Sequence, residues 1–319
     1  MTNPSAAQSQ ATPDAIPNSW VDRAPGALKP YLRLMRADRP IGVWLLLLPC
    51  WWGLALGNLS GTNAAGAAGL ISLWHGVLFA IGAYVMRAAG CTYNDIVDQD
   101  IDAKVERTAL RPLPAGAVSE KQAWALLIGL CLTGLVVLLQ FNRFAIFTGL
   151  AALALVAAYP FMKRITYWPQ AWLGLTFNWG ALVGFAAAAG ALAPEAFAIY
   201  AAGFFWTLSY DTIYAHMDKD DDILIGVKSA ALKLGEKTKP WIAVFVSATI
   251  LLFALAGALA NAGPAFYLGL LPAAGHFFWQ WRKLDIHDGH ICLSLFKSNR
   301  NAGLLLLLAP VCELAARSI

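Results

Sequence analysis

The stretch Asn94-Asp95-Ile96-Val97-Asp98-Gln99-Asp100-Ile101-Asp102 concentrates carboxylates in a chain otherwise poor in charge. As a helix, it sets Asn94, Asp98 and Asp102 four residues apart, so their oxygens line one face. Like charges stacked in this way repel unless a cation sits among them. Hard oxygen donors suit Mg2+, which binds through one or two carboxylates and completes its shell with waters and substrate phosphates. Lys104, Arg107 and Arg111 follow directly, in a loop that ends Arg111-Pro112-Leu113-Pro114. An acidic helix face that runs into a basic loop is equipment for a magnesium-bound phosphate ester.

A second stretch repeats the arrangement. In Tyr210-Asp211-Thr212-Ile213-Tyr214-Ala215-His216-Met217-Asp218-Lys219-Asp220-Asp221-Asp222, the residues Asp211, Asp218 and Asp222 fall at i, i+7 and i+11. A continuous helix would place them on one face. Lys219 and Lys228 lie within and after it. One such cluster alone reads as a solvated loop end; two in matched positions, each after a long apolar run, favour a site. Asn94, Asp98, Asp102, Asp218 and Asp222 are therefore the expected metal ligands. His216 has no second histidine at ligand spacing and is expected beside the site, not in the metal shell.

These motifs resemble those of the UbiA superfamily of intramembrane prenyltransferases. The family pattern N-D-x-x-D-x-x-x-D is met at Asn94, Asp95, Asp98 and Asp102, and R-T-x-x-R-P-L-x-x-G at Arg107 through Gly116. Y-D-x-x-Y-A-x-x-D-x-x-D-D is met at Tyr210 to Asp222, continuing as Ile225-Gly226-Val227-Lys228-Ser229. Further matches are Arg36-Ala37-Asp38-Arg39-Pro40-Ile41-Gly42, Tyr159-Pro160-Phe161-Met162-Lys163-Arg164 and Leu295-Phe296-Lys297-Ser298-Asn299. The resemblance implies Mg2+-dependent transfer of a polyprenyl group from polyprenyl diphosphate to C3 of 4-hydroxybenzoate, a step of ubiquinone biosynthesis. Other acceptors of the superfamily (a naphthoate, a haem, a chlorophyllide, a glycerol lipid) are the nearer alternatives.

Under that resemblance, Lys104, Arg107, Arg111, Tyr159, Lys163, Arg164 and Lys228 are expected at the substrate. Arg107 and Lys163 would stabilise charge on the departing diphosphate, where stabilisation counts most in the transition state. Asp211, two turns before Asp218, is the expected base for the acceptor phenol, with orientation of a metal-bound water as its rival role. The acceptor's carboxylate needs a cation when buried. Arg36 and Arg39, distant in sequence from both acidic clusters, are the expected partners, because a guanidinium holds a carboxylate through two parallel bonds. As plain anchors at the membrane edge they would do neither.

The elements that must carry these residues are membrane helices. The chain has 319 residues, 59% hydrophobic and 13% charged, where a soluble domain averages about 25% charged. That composition predicts an all-α, polytopic membrane protein with a single domain over 30–319, surrounded by membrane lipid, after a disordered tail over 1–29. Apolar segments of about 20 residues predict roughly nine spans around a central cavity with cytoplasmic capping loops. Approximate limits are 40–57, 70–93, 121–140, 143–162, 170–190, 194–214, 240–261, 264–281 and 301–317.

Lysines and arginines crowd the tail and the even-to-odd connections, which puts the N-terminus and both acidic stretches in the cytoplasm, in what reads as a bacterial cell inner membrane. Parallel halves, each with one acidic cluster, would face each other around one cavity. Arg87, inside the second apolar segment, needs a partner there. The five cysteines lack C-x-x-C spacing and read as small apolar residues. Nothing points to nucleic acid. The reading of a different class is a transporter with intramembrane carboxylates, but transporters keep such charges near the midplane on broken helices, whereas these acids end uninterrupted apolar runs.

Overall fold

The computed structural model describes residues 19–60, 67–103, 106–217, 219, 223 and 226–319, without the side chains of 67–71, 106 and 107. The described residues are helical, with no strand among them. In chain order the α-helices are α1 (Lys29–Leu34), α2 (Ile41–Ser60), α3 (Ala67–Asp102), α4 (Glu106–Ala109), α5 (Glu120–Leu138) and α6 (Arg143–Ile165). There follow α7 (Pro169–Ala189), α8 (Pro194–Ala215), α9 (Ala230–Leu234), α10 (Thr238–Leu259), α11 (Pro264–Lys283) and α12 (Gly289–Arg317). By length and composition, six segments are apolar enough to cross a membrane: α2, α3 from Ser72, α5, α6, α7 and Ala230–Leu259. The nine expected spans are not reached on that measure. α8, α11 and α12 fall short because they carry polar residues through their length, such as Lys297, Ser298, Asn299, Arg300 and Asn301 in α12.

Local chemistry sets the helix ends. Proline stands in the first turn of α7, α8 and α11, where its missing N–H costs nothing. Gly190 closes α7 in the left-handed conformation at φ 72°. Asn142 caps α6 by accepting from the Ala145 N–H, while its amide donates to the Ala186 and Ala187 carbonyls at the end of α7. Asp288 accepts from the N–H groups of His290 and Ile291 to start α12. That start lies twelve residues before the expected 301, because the polar run Lys297–Asn301 reads as loop yet is helix. Within the stretch expected as tail, Trp20–Arg23 forms a 3-10 turn with Val21 buried.

The described chain forms two compact units. One joins the residues before Val43 to Tyr84–Leu135; the other joins Val43–Ala83 to Val136–Ile319. In the first unit, Leu34, Leu113, Val118 and Ala123 form a small core that folds the loop after α4 against α1 and α5. In the second, α8 packs on α7, α10 and α12, and α11 on α12. Trp52 and Trp206 are fully buried there, 4.9 Å apart between ring centroids, and Trp52 donates to the Gly303 carbonyl at 2.9 Å. These two tryptophans are core residues of the bundle, not a channel lining. Large apolar side chains elsewhere point outward: Phe147 is 70% exposed, Leu251 69% and Leu268 66%. An outward apolar surface of this kind on fully hydrogen-bonded helices is what contact with lipid requires.

Candidate active site

The first acidic motif is positioned by α3, which carries the second apolar segment through Tyr93 to Asp102 without a break. The expected helical face is therefore real. Asn94 Nδ2 donates to Asp98 Oδ2 at 2.9 Å, one turn along. Asp95 and Asp98 are fully buried and Asp102 nearly so, whereas Asp100, on the far side, is exposed. Thr108 Oγ1 donates to the Asp102 carbonyl at 2.8 Å and ties the end of the helix to the loop that follows. That loop is compact: Ala115 N–H bonds to the Arg111 carbonyl and Val118 N–H to the Pro112 carbonyl, with Gly116 at φ 70° making the turn.

The same loop aims Arg111 back at the helix. Its Nη1 lies 2.6 Å from Asp102 Oδ2 and 3.5 Å from Asp95 Oδ1. Arg36 Nη2 approaches the same Asp95 oxygen at 2.6 Å. This corrects one expectation: Arg36 is distant from the acidic motif in sequence only, and its guanidinium is engaged there. Arg39 lies 3.4 Å from Asp38 Oδ2, longer than a strong charge-assisted bond of about 2.8 Å. Arg87 contacts Cys91 one turn on, and packs against Gly42 so closely that a Cβ there would strike the guanidinium. Lys104 lies outside the described residues, and of Arg107 only its place in α4 is described.

In the second unit, α8 carries Tyr210 and Asp211, the latter half-buried, and ends at Ala215. The helix expected to run on through the second motif therefore ends before His216. Asp218 and Asp222 lie outside the described residues. His216, at the helix end, is buried and shares a 2.9 Å hydrogen bond with Thr238 Oγ1, which donates to the Gly235 carbonyl at 2.7 Å. With Thr238 donating onward, His216 Nε2 is the donor and the ring is neutral. Burial holds its pKa down to about 4, helped by Lys219 and His287 and opposed by Glu236.

The remaining family-like motifs meet around this end of the bundle. Lys228 N–H donates to the Lys163 carbonyl at 3.0 Å, and Lys228 Nζ to the Ile165 carbonyl at 3.1 Å. Lys163 and Arg164, in the last turn of α6, are thus brought beside Lys228, in the segment before α9, with Tyr159 one turn back on α6. The Lys228 ammonium sits 5.4 Å from the Tyr167 ring centre and the Arg164 guanidinium 5.8 Å from that of Phe161. Leu295-Phe296-Lys297-Ser298-Asn299 turns out to be scaffold. Asn299 Oδ1 accepts from Trp206 Nε1 at 2.9 Å, and Phe296 packs on Tyr214 and Tyr210. Asp95 was absent from the expected site residues, although its signal, an aspartate three and seven residues before Asp98 and Asp102, was in the motif.

The first motif suits a divalent cation. Its donors are oxygens: two buried carboxylates and an asparagine amide. Among the described residues, no three His, Cys, Asp or Glu side chains converge on a metal. When bound, Mg2+ would add Lewis-acid stabilisation to a leaving diphosphate.

A polytopic helical protein that sets hard oxygen ligands beside arginines is equipped to handle a phosphate ester at a membrane. The chain belongs to the UbiA prenyltransferase family, whose sequence model matches residues 46–305. It is 48% identical over 290 residues to the 4-hydroxybenzoate polyprenyltransferase of Caenorhabditis elegans mitochondria, across 91% of this chain and 80% of that one. The human mitochondrial protein of the same name is 48% identical over 293 residues, across 91% and 77%. Among solved structures, a UbiA homolog from Archaeoglobus fulgidus bound to GPP and Mg2+ shares the fold at TM-score 0.65, 22% identity, over 91% of this chain and 100% of that one. A UbiA homolog from Aeropyrum pernix matches at TM-score 0.63 and 26% identity, over 86% and 96%. Membership in this family decides for an enzyme over the transporter. The two curated relatives are mitochondrial proteins, where the sequence reading expected a bacterial inner membrane for this chain; the multi-pass membrane character stands.

Proposed function

We propose that this protein transfers a polyprenyl group from polyprenyl diphosphate to C3 of 4-hydroxybenzoate, with Mg2+, in ubiquinone biosynthesis. The observation that carries the reading is the 48% identity, across 91% of the chain, to relatives that bear that activity in their names. Asn94, Asp98 and Asp102 of the first motif and Asp218 and Asp222 of the second would hold the metal. Lys104, Arg107, Arg111, Lys163, Arg164 and Lys228 receive the diphosphate, as the bond from its oxygen to the allylic carbon breaks. Asp211 takes the phenol proton as ring carbon C3 forms the new bond to that allylic carbon; the dienone then loses its C3 proton to the departed diphosphate, and Asp211 returns its proton to the ring oxygen, which restores the aromatic ring. Apolar helices keep water from the allylic cation.

Purified protein given radiolabelled polyprenyl diphosphate, Mg2+ and a panel of acceptors is expected to label 4-hydroxybenzoate alone. Label on a naphthoate or a glycerol lipid instead would sink the reading. Within it, Arg39 is the proposed partner for the acceptor's carboxylate, since the Arg36 guanidinium is engaged by Asp95 at 2.6 Å. Arg39→Ala is expected to raise the KM for 4-hydroxybenzoate about tenfold or more, the loss of one charge-assisted pair. The KM for the prenyl diphosphate stays put. An unchanged acceptor KM would move the carboxylate site elsewhere.

A further inference from the structure

We propose that Asp95 is the positioning residue that fixes Arg36 and Arg111 at the first acidic motif, and so sets the grip on the diphosphate. The inference rests on the prenyl-transfer reading above. Asp95 lies on the same side of α3 as Asp98 and Asp102, which follow it by three and seven residues. The side chains of this one face are engaged differently. Asn94 and Asp98 bond to each other. Asp95 meets two guanidiniums with one oxygen, Arg36 at 2.6 Å and Arg111 at 3.5 Å.

Three further observations favour a role beyond packing. The Asp95 side chain is fully buried and its Oδ2 has no hydrogen-bond partner among the described residues; a buried carboxylate in that state costs stability and is rarely kept for stability alone. Arg36 ends α1 with φ 56°, a left-handed position that glycine occupies most cheaply. The Ala37 N–H bonds back to the Leu32 carbonyl across that turn, so the backbone demands the conformation. Arginine standing there is explained by where it sends its guanidinium. Finally, Arg111 bridges Asp95 and Asp102. With Asp95 as its second anchor, Arg111 keeps a carboxylate partner and its place when Asp102 turns to a metal.

The test compares full-length wild-type protein with Asp95→Asn, which keeps the shape and removes the charge. Arg36→Lys probes the same contact from the other side, since it keeps the charge and loses the fork. Affinity for a non-hydrolysable prenyl thiodiphosphate is measured by calorimetry, alongside KM for both substrates, the half-saturating Mg2+ concentration and the melting temperature. Both variants are expected to lose about tenfold to a hundredfold in affinity for the thiodiphosphate and in KM for the diphosphate, the worth of a misplaced charge-assisted bond. The acceptor KM and the Mg2+ requirement should stay within about twofold, because the Asn94–Asp98 pair is intact. A raised Mg2+ requirement as the main effect would make Asp95 a ligand and overturn the proposal. So would a lower melting temperature with every binding constant unchanged. Wild-type protein that binds no thiodiphosphate at all would overturn the prenyl-transfer reading, and this inference with it.

Discussion

Asp98→Ala is expected to abolish turnover and leave the protein folded. Asp98 is fully buried on the metal face of α3, and its Oδ2 already accepts from Asn94. Its loss removes a carboxylate that places the cation on the leaving group, worth about 4 kcal/mol in the transition state, or roughly a thousandfold in rate. Asp100→Ala is the control, since Asp100 lies exposed on the same helix. Monodisperse protein in detergent with a normal melting temperature and no prenyl transfer at saturating Mg2+ is the predicted result for Asp98→Ala. A rate within about tenfold of wild type would take Asp98 out of the metal site, because a ligand carboxylate is worth more than that.

The second large effect falls on folding. α2 and α7 approach so closely that a Cβ on Gly184 would intrude on the Cys50 carbonyl oxygen and lie 2.9 Å from Leu54 N. Gly53, on the facing helix, would likewise strike the Ala181 carbonyl. These are backbone atoms that cannot rotate aside, so the helices themselves must part. Inserting methyl groups into such a contact costs about 1–3 kcal/mol each where the structure can adjust, and more where it cannot. Gly184→Val is therefore expected to leave little folded protein, and Gly184→Ala to melt well below wild type. Gly275→Ala, whose Cβ meets nothing within 4 Å, should be neutral. Size-exclusion profiles and thermal melts of the three variants decide it; a Gly184→Val protein as stable as wild type would show that α2 and α7 do not need this contact.

Much of the architecture was legible because the bilayer leaves a chain few options. Long apolar runs must be helices when no water can satisfy their backbone, and so the all-α class and the positions of α2, α3 and α5 to α8 follow from hydropathy. The first acidic motif was legible for a related reason: a four-residue spacing at the end of an apolar run can only be one face of a helix, and α3 does run on to Asp102. Which helix Gly184 and its alanine neighbours face is set by packing: they let α2 come close to α7, as small residues do in membrane helices.

Tertiary structure decided what spacing cannot encode. Asp211 and Asp218 share a helical face only if the helix continues, and α8 ends at Ala215, where His216 bonds to Thr238 from a different element. Lys297, Ser298 and Asn299 read as a loop until Trp206 and Gln280 supply partners that let a polar run stay inside α12. Arg36 and Asp95 lie 59 positions apart, and no pattern along the chain records a pair at that distance. A charge's partner is set by the fold that brings it within about 3 Å, where Coulomb attraction and directed hydrogen bonds outweigh the cost of burial. The residue types of the site were written in the sequence, and which carboxylate meets which guanidinium was written only in the packing.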